Sequence, residues 1–199
     1  MGRGTKTCLG CGIVLVLACC VLSAVTLFAL PLVVSNLAAS LGGSADPVKA
    51  RQVGAQIADY TLPADHSEQA GVDVAVMQMV IIAPKTFSET EEFGDGYVIM
   101  LMTIKLPVDS AQLEQQMRSA LLEQTKANGS TFQKVGERKV TIRGQATTLT
   151  ILEDAPTNGT VRMVTGSFQG KSGQTLLMML GNIPTWDWGK VEKFLQSIR

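Results

Sequence analysis

An uncharged apolar stretch near the N-terminus limits this chain more than any other feature. No charged residue occurs between Lys6 and Asp46, and Leu9–Val34 is almost wholly apolar. A helix that crosses the hydrocarbon core of a bilayer needs about 20 consecutive apolar residues. The stretch is longer than that, and uncharged runs of this length are rare in soluble domains. The sequence therefore predicts a transmembrane helix over residues 9–36.

A cleaved signal peptide is the main alternative for this stretch. Arg3 and Lys6 resemble a basic n-region, and Ala38-Ala39-Ser40 has the small residues of a cleavage site. The apolar region of a signal peptide spans about 7–15 residues, however, and this stretch is nearly twice as long. We therefore expect a signal-anchor that is retained in the protein.

All four cysteines lie in or beside the apolar stretch. Cys8 and Cys11 form a C-x-x-C pair, and Cys19 and Cys20 are adjacent. A structural zinc site needs four ligands that converge as a tetrahedron, whereas adjacent helical residues point to different sides. Cysteine in a membrane helix acts as a small apolar residue. S-acylation of Cys8 or Cys11 is the functional alternative.

The charges around the stretch predict its orientation. Arg3, Lys6 and the amino terminus precede it, whereas Asp46 partly offsets Lys49 and Arg51 on the other side. Because positive charge favours the cytoplasmic side, we expect the short N-terminus in the cytoplasm and the large C-terminal part outside.

Four segments follow from this interpretation: residues 1–8 are a short cytoplasmic N-terminus, 9–36 a transmembrane helix, 37–45 a flexible linker, and 46–199 an extracytoplasmic α+β domain. The last segment contains all 17 acidic residues but only 15 of the 17 basic ones, so its net charge is −2. Without a basic face, nucleic acid is not an expected partner.

Residues 46–199 contain helix signals separated by strand signals. Helix caps are expected at Asp46, Asp109 and Asp187, which precede PVKARQVGAQI, SAQLEQQMRSALLEQTKANG and WGKVEKFLQSIR. The intervening apolar segments read as strands, listed here: DYTLPAD, GVDVAVMQMVIIAP, YVIMLMTIKL, TFQKVGERKV, ATTLTILED, VRMVTGSFQG and QTLLMMLG. The predicted fold class is therefore α+β, with an N-terminal transmembrane helix followed by a single domain whose antiparallel sheet packs against two or three helices.

Residues 57–199 resemble the PsbP-like fold of extrinsic photosystem subunits and LpqN-type bacterial lipoproteins. The resemblance lies in strand-rich halves around a central amphipathic helix, in the opening ADYTLPAD and in the ending FLQSIR. It implies an extracytoplasmic interaction domain, usually without a catalytic site.

The sequence holds no catalytic motif that we recognise, so neither enzyme activity nor a cofactor is expected. His66, the one histidine, falls in a polar turn and is expected to be solvated. Two charged groups permit other uses, namely cation binding by the acidic loop and contact with anionic lipid headgroups by the basic hairpin. The acidic loop comprises Glu89, Glu91, Glu92 and Asp95, and the basic hairpin comprises Lys134, Arg138, Lys139 and Arg143. Solvated loops and faces are more typical of both.

Methionines repeat at every second position in several predicted strands. The pairs are Met77 with Met79 and Met100 with Met102, and Met178-Met179 lie in a third strand. Thioethers suit Cu(I), but period-two spacing is what the core face of a strand requires. We expect these methionines to pack in the core.

Together these features predict a single-pass membrane-anchored protein with an extracytoplasmic interaction or sensing domain. Its expected partners are the lipid bilayer, through the N-terminal helix, and a protein outside the cytoplasm. The alternative is an extracytoplasmic metal-binding protein or an enzyme with a non-standard site.

Overall fold

A computed structural model describes residues 46–86, 96–105, 132–154 and 160–199, together with Ser119. The elements in chain order are helix α1 (Pro47–Ile57), strands β1 (His66–Val74), β2 (Met77–Pro84), β3 (Tyr97–Ile104), β4 (Phe132–Ile142), β5 (Gln145–Asp154), β6 (Val161–Gln169) and β7 (Gln174–Asn182), a 3-10 turn (Ile183–Thr185) and helix α2 (Trp188–Ser197).

The seven strands form one sheet in the order β1-β2-β3-β7-β6-β5-β4, and every neighbouring pair is antiparallel. Short turns connect β1 to β2, β4 to β5 and β6 to β7. The β4–β5 turn has positive φ at both central residues, 52° at Arg143 and 74° at Gly144. Such a turn matches the right-handed twist of the two strands that it joins.

Each outer strand of the sheet carries a bulge. The register of β1 shifts between Glu68 and Ala70, and that of β4 shifts between Lys134 and Gly136. Bulges twist an edge and interrupt its row of backbone hydrogen-bonding groups. The two outer edges are therefore poor templates for pairing with another strand.

Both helices pack on the same face of the sheet. Asp46 caps α1 by accepting a hydrogen bond from the Val48 N–H, and Asp187 caps α2 by accepting from Gly189 and Lys190. These two predicted caps are confirmed. The helices and the sheet share one apolar cluster, which we call the helix-side core; its largest fully buried members include Ile57, Ile82, Leu101, Leu149, Leu177 and Phe194. Each such side chain contributes about 1.5–3 kcal/mol on burial.

Methionines dominate a second apolar cluster, which we call the methionine cluster. It comprises Ala70, Val72, Met77, Met79, Ile81, Ala83, Val98, Met100, Met102 and Leu176. Met79 lies opposite Met102, and Met100 lies opposite Met178 on β7. Of the six predicted core methionines, five are at most 8% exposed and confirm the prediction, whereas Met178 is only partly buried.

The predicted fold class is wrong. The described residues form mostly one seven-stranded antiparallel sheet with two short helices of 11 and 10 residues. Most of the described residues lie in strands, and several of these strands are joined by short turns, so the sheet is the main element of the fold. No helix in the described ranges is long and apolar enough to cross a membrane. The predicted membrane helix over 9–36 and the predicted helix after Asp109 lie outside the described residues.

Two strand predictions also need correction. The run GVDVAVMQMVIIAP reads as one strand, but a turn at Ala75-Val76 divides it between β1 and β2. Apolar side chains fill this turn, so composition gives no signal for it. The segment DYTLPAD is not a strand. Instead, the backbones of Asp59 and Arg199 exchange hydrogen bonds, which join this segment to the C-terminus.

Candidate functional site

The sheet has an opening between β5 and β6. These two strands pair only where Thr150–Glu153 faces Arg162–Thr165. Both strands continue beyond that point with their outer partners, β5 to the pair of Gln145 with Ile142 and β6 to the pair of Gln169 with Gln174. Residues 145–149 and 166–169 are not paired as neighbouring strands, although Gly166 still lies beside Leu149, and we call the cleft along them the sheet window.

A side chain closes the far end of the sheet window. Arg143, in the β4–β5 turn, donates from Nη1 to the backbone oxygen of Gln169 over 2.8 Å. At the near end the backbone pair of Thr150 with Thr165 resumes the ladder. The window is thus bounded at both ends, by a charge-assisted hydrogen bond and by regular strand pairing.

Uncharged polar side chains line the window. The cleft has a volume of about 510 Å³ and is lined by Glu137, Gln145, Ala146, Thr147, Thr148, Thr150, Ser167, Phe168, Gln169 and Gln174. Thr147 and Thr150 are buried, whereas Thr148 and Gln169 are exposed. Glu137 is the one charged residue among them, and the Lys134 ammonium neutralises it at 2.5 Å. The lining offers hydrogen bonds but little net charge.

Leu149 fills the helix-side core next to the window. Its side chain is fully buried and lies over Gly166 of β6. A Cβ built on Gly166 would come within 2.6 Å of Leu149 Cδ2, so a larger residue there would require the buried Leu149 side chain to move. Leu149 therefore keeps β5 and β6 in contact on the side that faces the core, and polar residues line most of the cleft.

His66 occupies a second polar site, at the start of β1. The expectation that it is solvated is wrong, because the residue is only 2% exposed. Its Nδ1 lies 2.7 Å from Asp65 Oδ1, and its Nε2 lies 2.7 Å from the backbone oxygen of Tyr97. The ring also packs on Tyr97, with ring centroids 4.9 Å apart. Both nitrogens are thus engaged within the domain.

The surroundings of His66 shift the pKa values of Asp65 and Tyr97. The hydrogen bond from His66 lowers the pKa of Asp65, burial opposes this, and Lys190 lowers it further with Nζ 3.4 Å from Oδ2. Burial raises the pKa of Tyr97 well above its usual range, so its hydroxyl stays protonated. This arrangement links the start of β1, the start of β3 and helix α2 rather than presenting a reactive group.

Aromatic rings extend from Tyr97 toward α2. Tyr97 packs on Trp186 at 5.7 Å, and Trp186 packs on Trp188 at 5.5 Å. The guanidinium groups of Arg138 and Arg162 lie over these indoles at 4.6–5.8 Å. Cation–π contacts of this kind stabilise packing by about 0.5–1 kcal/mol at exposed sites and more where desolvated. The rings are covered by the protein's own cations.

The basic hairpin that the sequence singled out is mostly engaged inside the domain. Arg138 pairs with Glu192 at 2.5 Å, Lys134 pairs with Glu137, and Arg143 bonds to Gln169. The acidic loop and the four cysteines lie outside the described residues. Within the described part of the chain, no group of three or more His, Cys, Asp or Glu residues is placed to hold a metal ion.

Comparison with protein-family models and with curated proteins finds no match for this sequence.

The sequence patterns did not predict the sheet window. Its signals were the hydroxyl-rich run ATTLT on β5 and the polar residues of GSFQ on β6. Each run is typical of an ordinary strand. The cleft arises only because β5 and β6 do not pair along these runs.

Proposed function

We propose that this protein is a membrane-anchored interaction or sensing protein whose sheet domain works outside the cytoplasm without catalysing a reaction. The sheet window is the observation that carries the proposal. A cleft within the sheet, bounded at both ends and lined largely by hydroxyl and carboxamide groups, suits recognition. Its volume of about 510 Å³ falls in the usual range of ligand sites, about 300–1,000 Å³.

Binding fits the window better than catalysis does. General acid–base and nucleophilic chemistry needs a titratable or activated group aimed at the substrate. Among the lining residues only Glu137 has an ionisable side chain, and Lys134 pairs with it. His66, which could act as a base in principle, is buried and bonded on both nitrogens away from the window.

The apolar stretch near the N-terminus supports the proposed membrane anchor. Leu9–Val34 is long enough to insert in a bilayer, and the basic residues Arg3 and Lys6 favour a cytoplasmic N-terminus. The resemblance of residues 57–199 to PsbP-like domains agrees with an extracytoplasmic interaction domain. A protein partner outside the cytoplasm and the lipid bilayer are accordingly the proposed partners.

Fractionation and protease accessibility test this proposal together. Full-length protein should stay with carbonate-washed membranes, and protease added outside spheroplasts should digest the part after Ser44. The variant Leu17→Arg places a charge in the middle of the apolar stretch, which costs about 2.5–3.5 kcal/mol of insertion free energy. It should shift protein to the soluble fraction, whereas Val48→Arg, at an exposed position of α1, should not. Protection of the part after Ser44 would invert the proposed topology.

A further inference from the structure

One hydroxyl group in the sheet window is not used by the domain itself. Thr147 lines the cleft and is only 8% exposed. Its hydroxyl forms no hydrogen bond with any residue that the structure describes. By contrast, the buried hydroxyls of Thr103 and Thr175 lie 2.7 Å apart and bond to each other. Because a buried polar group without a partner costs free energy, the Thr147 hydroxyl favours a hydrogen-bonding ligand in the cleft.

Four side chains that are less buried add further hydrogen-bonding groups to the lining. These are Gln145, Thr148, Gln169 and Gln174, and within the described part of the chain none of these side chains has a hydrogen-bond partner. Hydroxyl and carboxamide groups can both donate and accept hydrogen bonds. Together with Thr147, the cleft therefore offers three carboxamides and two hydroxyls that the fold leaves unused.

The other lining residues favour an uncharged ligand. Glu137 has the one ionisable side chain of the lining, and Lys134 Nζ lies 2.5 Å from its carboxylate. A charged ligand would therefore lose its hydration without meeting an unpaired counter-ion in the lining. Ala146 and Phe168 add apolar surface to the same cleft. The ligand that suits this lining is neutral, rich in hydroxyl groups and partly apolar.

We propose that the sheet window binds a neutral sugar. Every sugar hydroxyl can both donate and accept a hydrogen bond, which matches the hydroxyls and carboxamides of the lining. The C–H groups of the sugar ring match the apolar surface of Ala146 and Phe168. The volume of the cleft, about 510 Å³, is in the range of small-molecule sites. This inference rests on the proposed function, because it names the class of ligand that the interaction or sensing domain takes.

Saturation-transfer NMR with the full chain in lipid nanodiscs tests the proposal. The probes are glucose, galactose, mannose and N-acetylglucosamine, which are neutral and differ in the geometry of their polar groups. At least one of them should receive saturation from the protein, whereas nanodiscs without the protein should transfer none. The charged sugars glucuronate and glucosamine should receive less than the best neutral sugar. Transfer to none of the neutral sugars, or stronger transfer to the charged ones, would overturn the proposal.

Two valine variants locate the bound sugar. Thr147→Val removes the hydroxyl with little change of shape and should weaken sugar binding by roughly tenfold. Thr141→Val makes the same change at an exposed position of β4 that does not line the window, so it should leave binding unchanged. Thr147→Ser keeps the hydroxyl and should retain most of the binding. Equal binding by the two valine variants would place the sugar elsewhere and overturn the proposal.

A variant at the surface of the cleft guards against misfolding. Trp186 and Trp188 are the two tryptophans of the chain, and unchanged emission from them shows that a variant keeps the domain folded. Gln169→Met changes an exposed position, so it leaves the core intact, and it removes one carboxamide from the lining. It should also weaken sugar binding. Full binding in both Gln169→Met and Thr147→Val would overturn the proposal.

A capped dipeptide separates sugar recognition from the recognition of polar groups in general. N-acetyl-threonyl-valine amide is neutral and offers a hydroxyl and several amides but no sugar ring, so it should receive no saturation. Transfer to the dipeptide and to none of the sugars would overturn the proposal in favour of a peptide site. The result is independent of the membrane test. Sugar binding by a protein that fractionates as soluble would refute the membrane anchor alone, and a membrane-bound protein that binds no sugar would refute the sugar site alone.

Discussion

His66 on β1 donates a hydrogen bond from Nε2 to the backbone oxygen of Tyr97 on β3, across the intervening strand β2. The residue of β2 opposite His66 is Pro84, which has no N–H to offer. The ladder between β2 and β3 accordingly ends at Ile82 and Ile99. The imidazole therefore supplies the donor that proline cannot provide at this end of the sheet.

Replacing His66 by leucine tests this role. The change keeps an apolar side chain of similar size but leaves the Tyr97 oxygen without its donor, so it should lower the free energy of unfolding by about 1–3 kcal/mol. Urea unfolding of the full chain in detergent measures the loss. His66→Gln keeps an N–H at a similar reach and should recover part of it. Equal stability of the leucine variant and the wild type would refute the role.

The pair of Asp65 with His66 predicts a pH dependence. Because the folded-state pKa of Asp65 is lowered, first by the hydrogen bond from His66, its carboxylate stabilises the fold above its usual pKa. That contribution is lost as the pH falls below about 4 and through the lowered folded-state value. Asp65→Asn should therefore flatten the acid side of the stability profile, measured by urea unfolding between pH 6 and pH 2.

His66→Gln provides a second test of the same linkage. It removes the contact that lowers the pKa of Asp65 most, so its acid profile should be flattened in the same direction as that of Asp65→Asn. The double variant should add little to either single change, since both act on one interaction. A steep acid loss that persists in Asp65→Asn would assign the profile to other carboxylates.

Local signals made the helices predictable. Asp46 with Pro47, and Asp187 with the apolar residues that follow it, carry the start signals and the periodicity within one short segment. Burial of the alternating methionines, Met77 with Met79 and Met100 with Met102, was predictable for a similar reason, since a spacing of two positions defines the face of a strand.

Contacts between residues that are far apart in the chain could not be predicted from the sequence. His66 looked solvated because its neighbours in the chain are polar, but its partner Tyr97 lies 31 positions away. The sheet window depends on where β5 and β6 stop pairing, and the sequence of neither strand indicates how it aligns with the other. The turn at Ala75-Val76 has no glycine, proline or asparagine, so nothing separated β1 from β2.

Met79 distinguishes core packing from copper binding. It is 1% exposed in the methionine cluster, so Met79→Ala should cost about 2–5 kcal/mol of unfolding free energy and Met79→Leu less than about 1.5. Val135→Ala, at an exposed position of β4, should change stability by less than about 0.5 kcal/mol. Thermal unfolding with and without Cu(I) completes the test. A Cu(I)-dependent rise in Tm that the leucine variant loses would show a metal site instead.

Two glycines on the outer strands should respond differently to replacement by alanine. Gly71 of β1 lies beneath α1, and a Cβ there would come within 2.7 Å of the Ala50 Cα. The helix backbone would have to move away, so Gly71→Ala should lower the free energy of unfolding by about 1–3 kcal/mol. Gly136 of β4 has no atom within 4 Å of its built Cβ, so Gly136→Ala should change stability by less than about 0.5 kcal/mol. Urea unfolding of both variants under the same conditions makes the comparison, and equal stability of the two would show that α1 does not rest on β1 at Gly71.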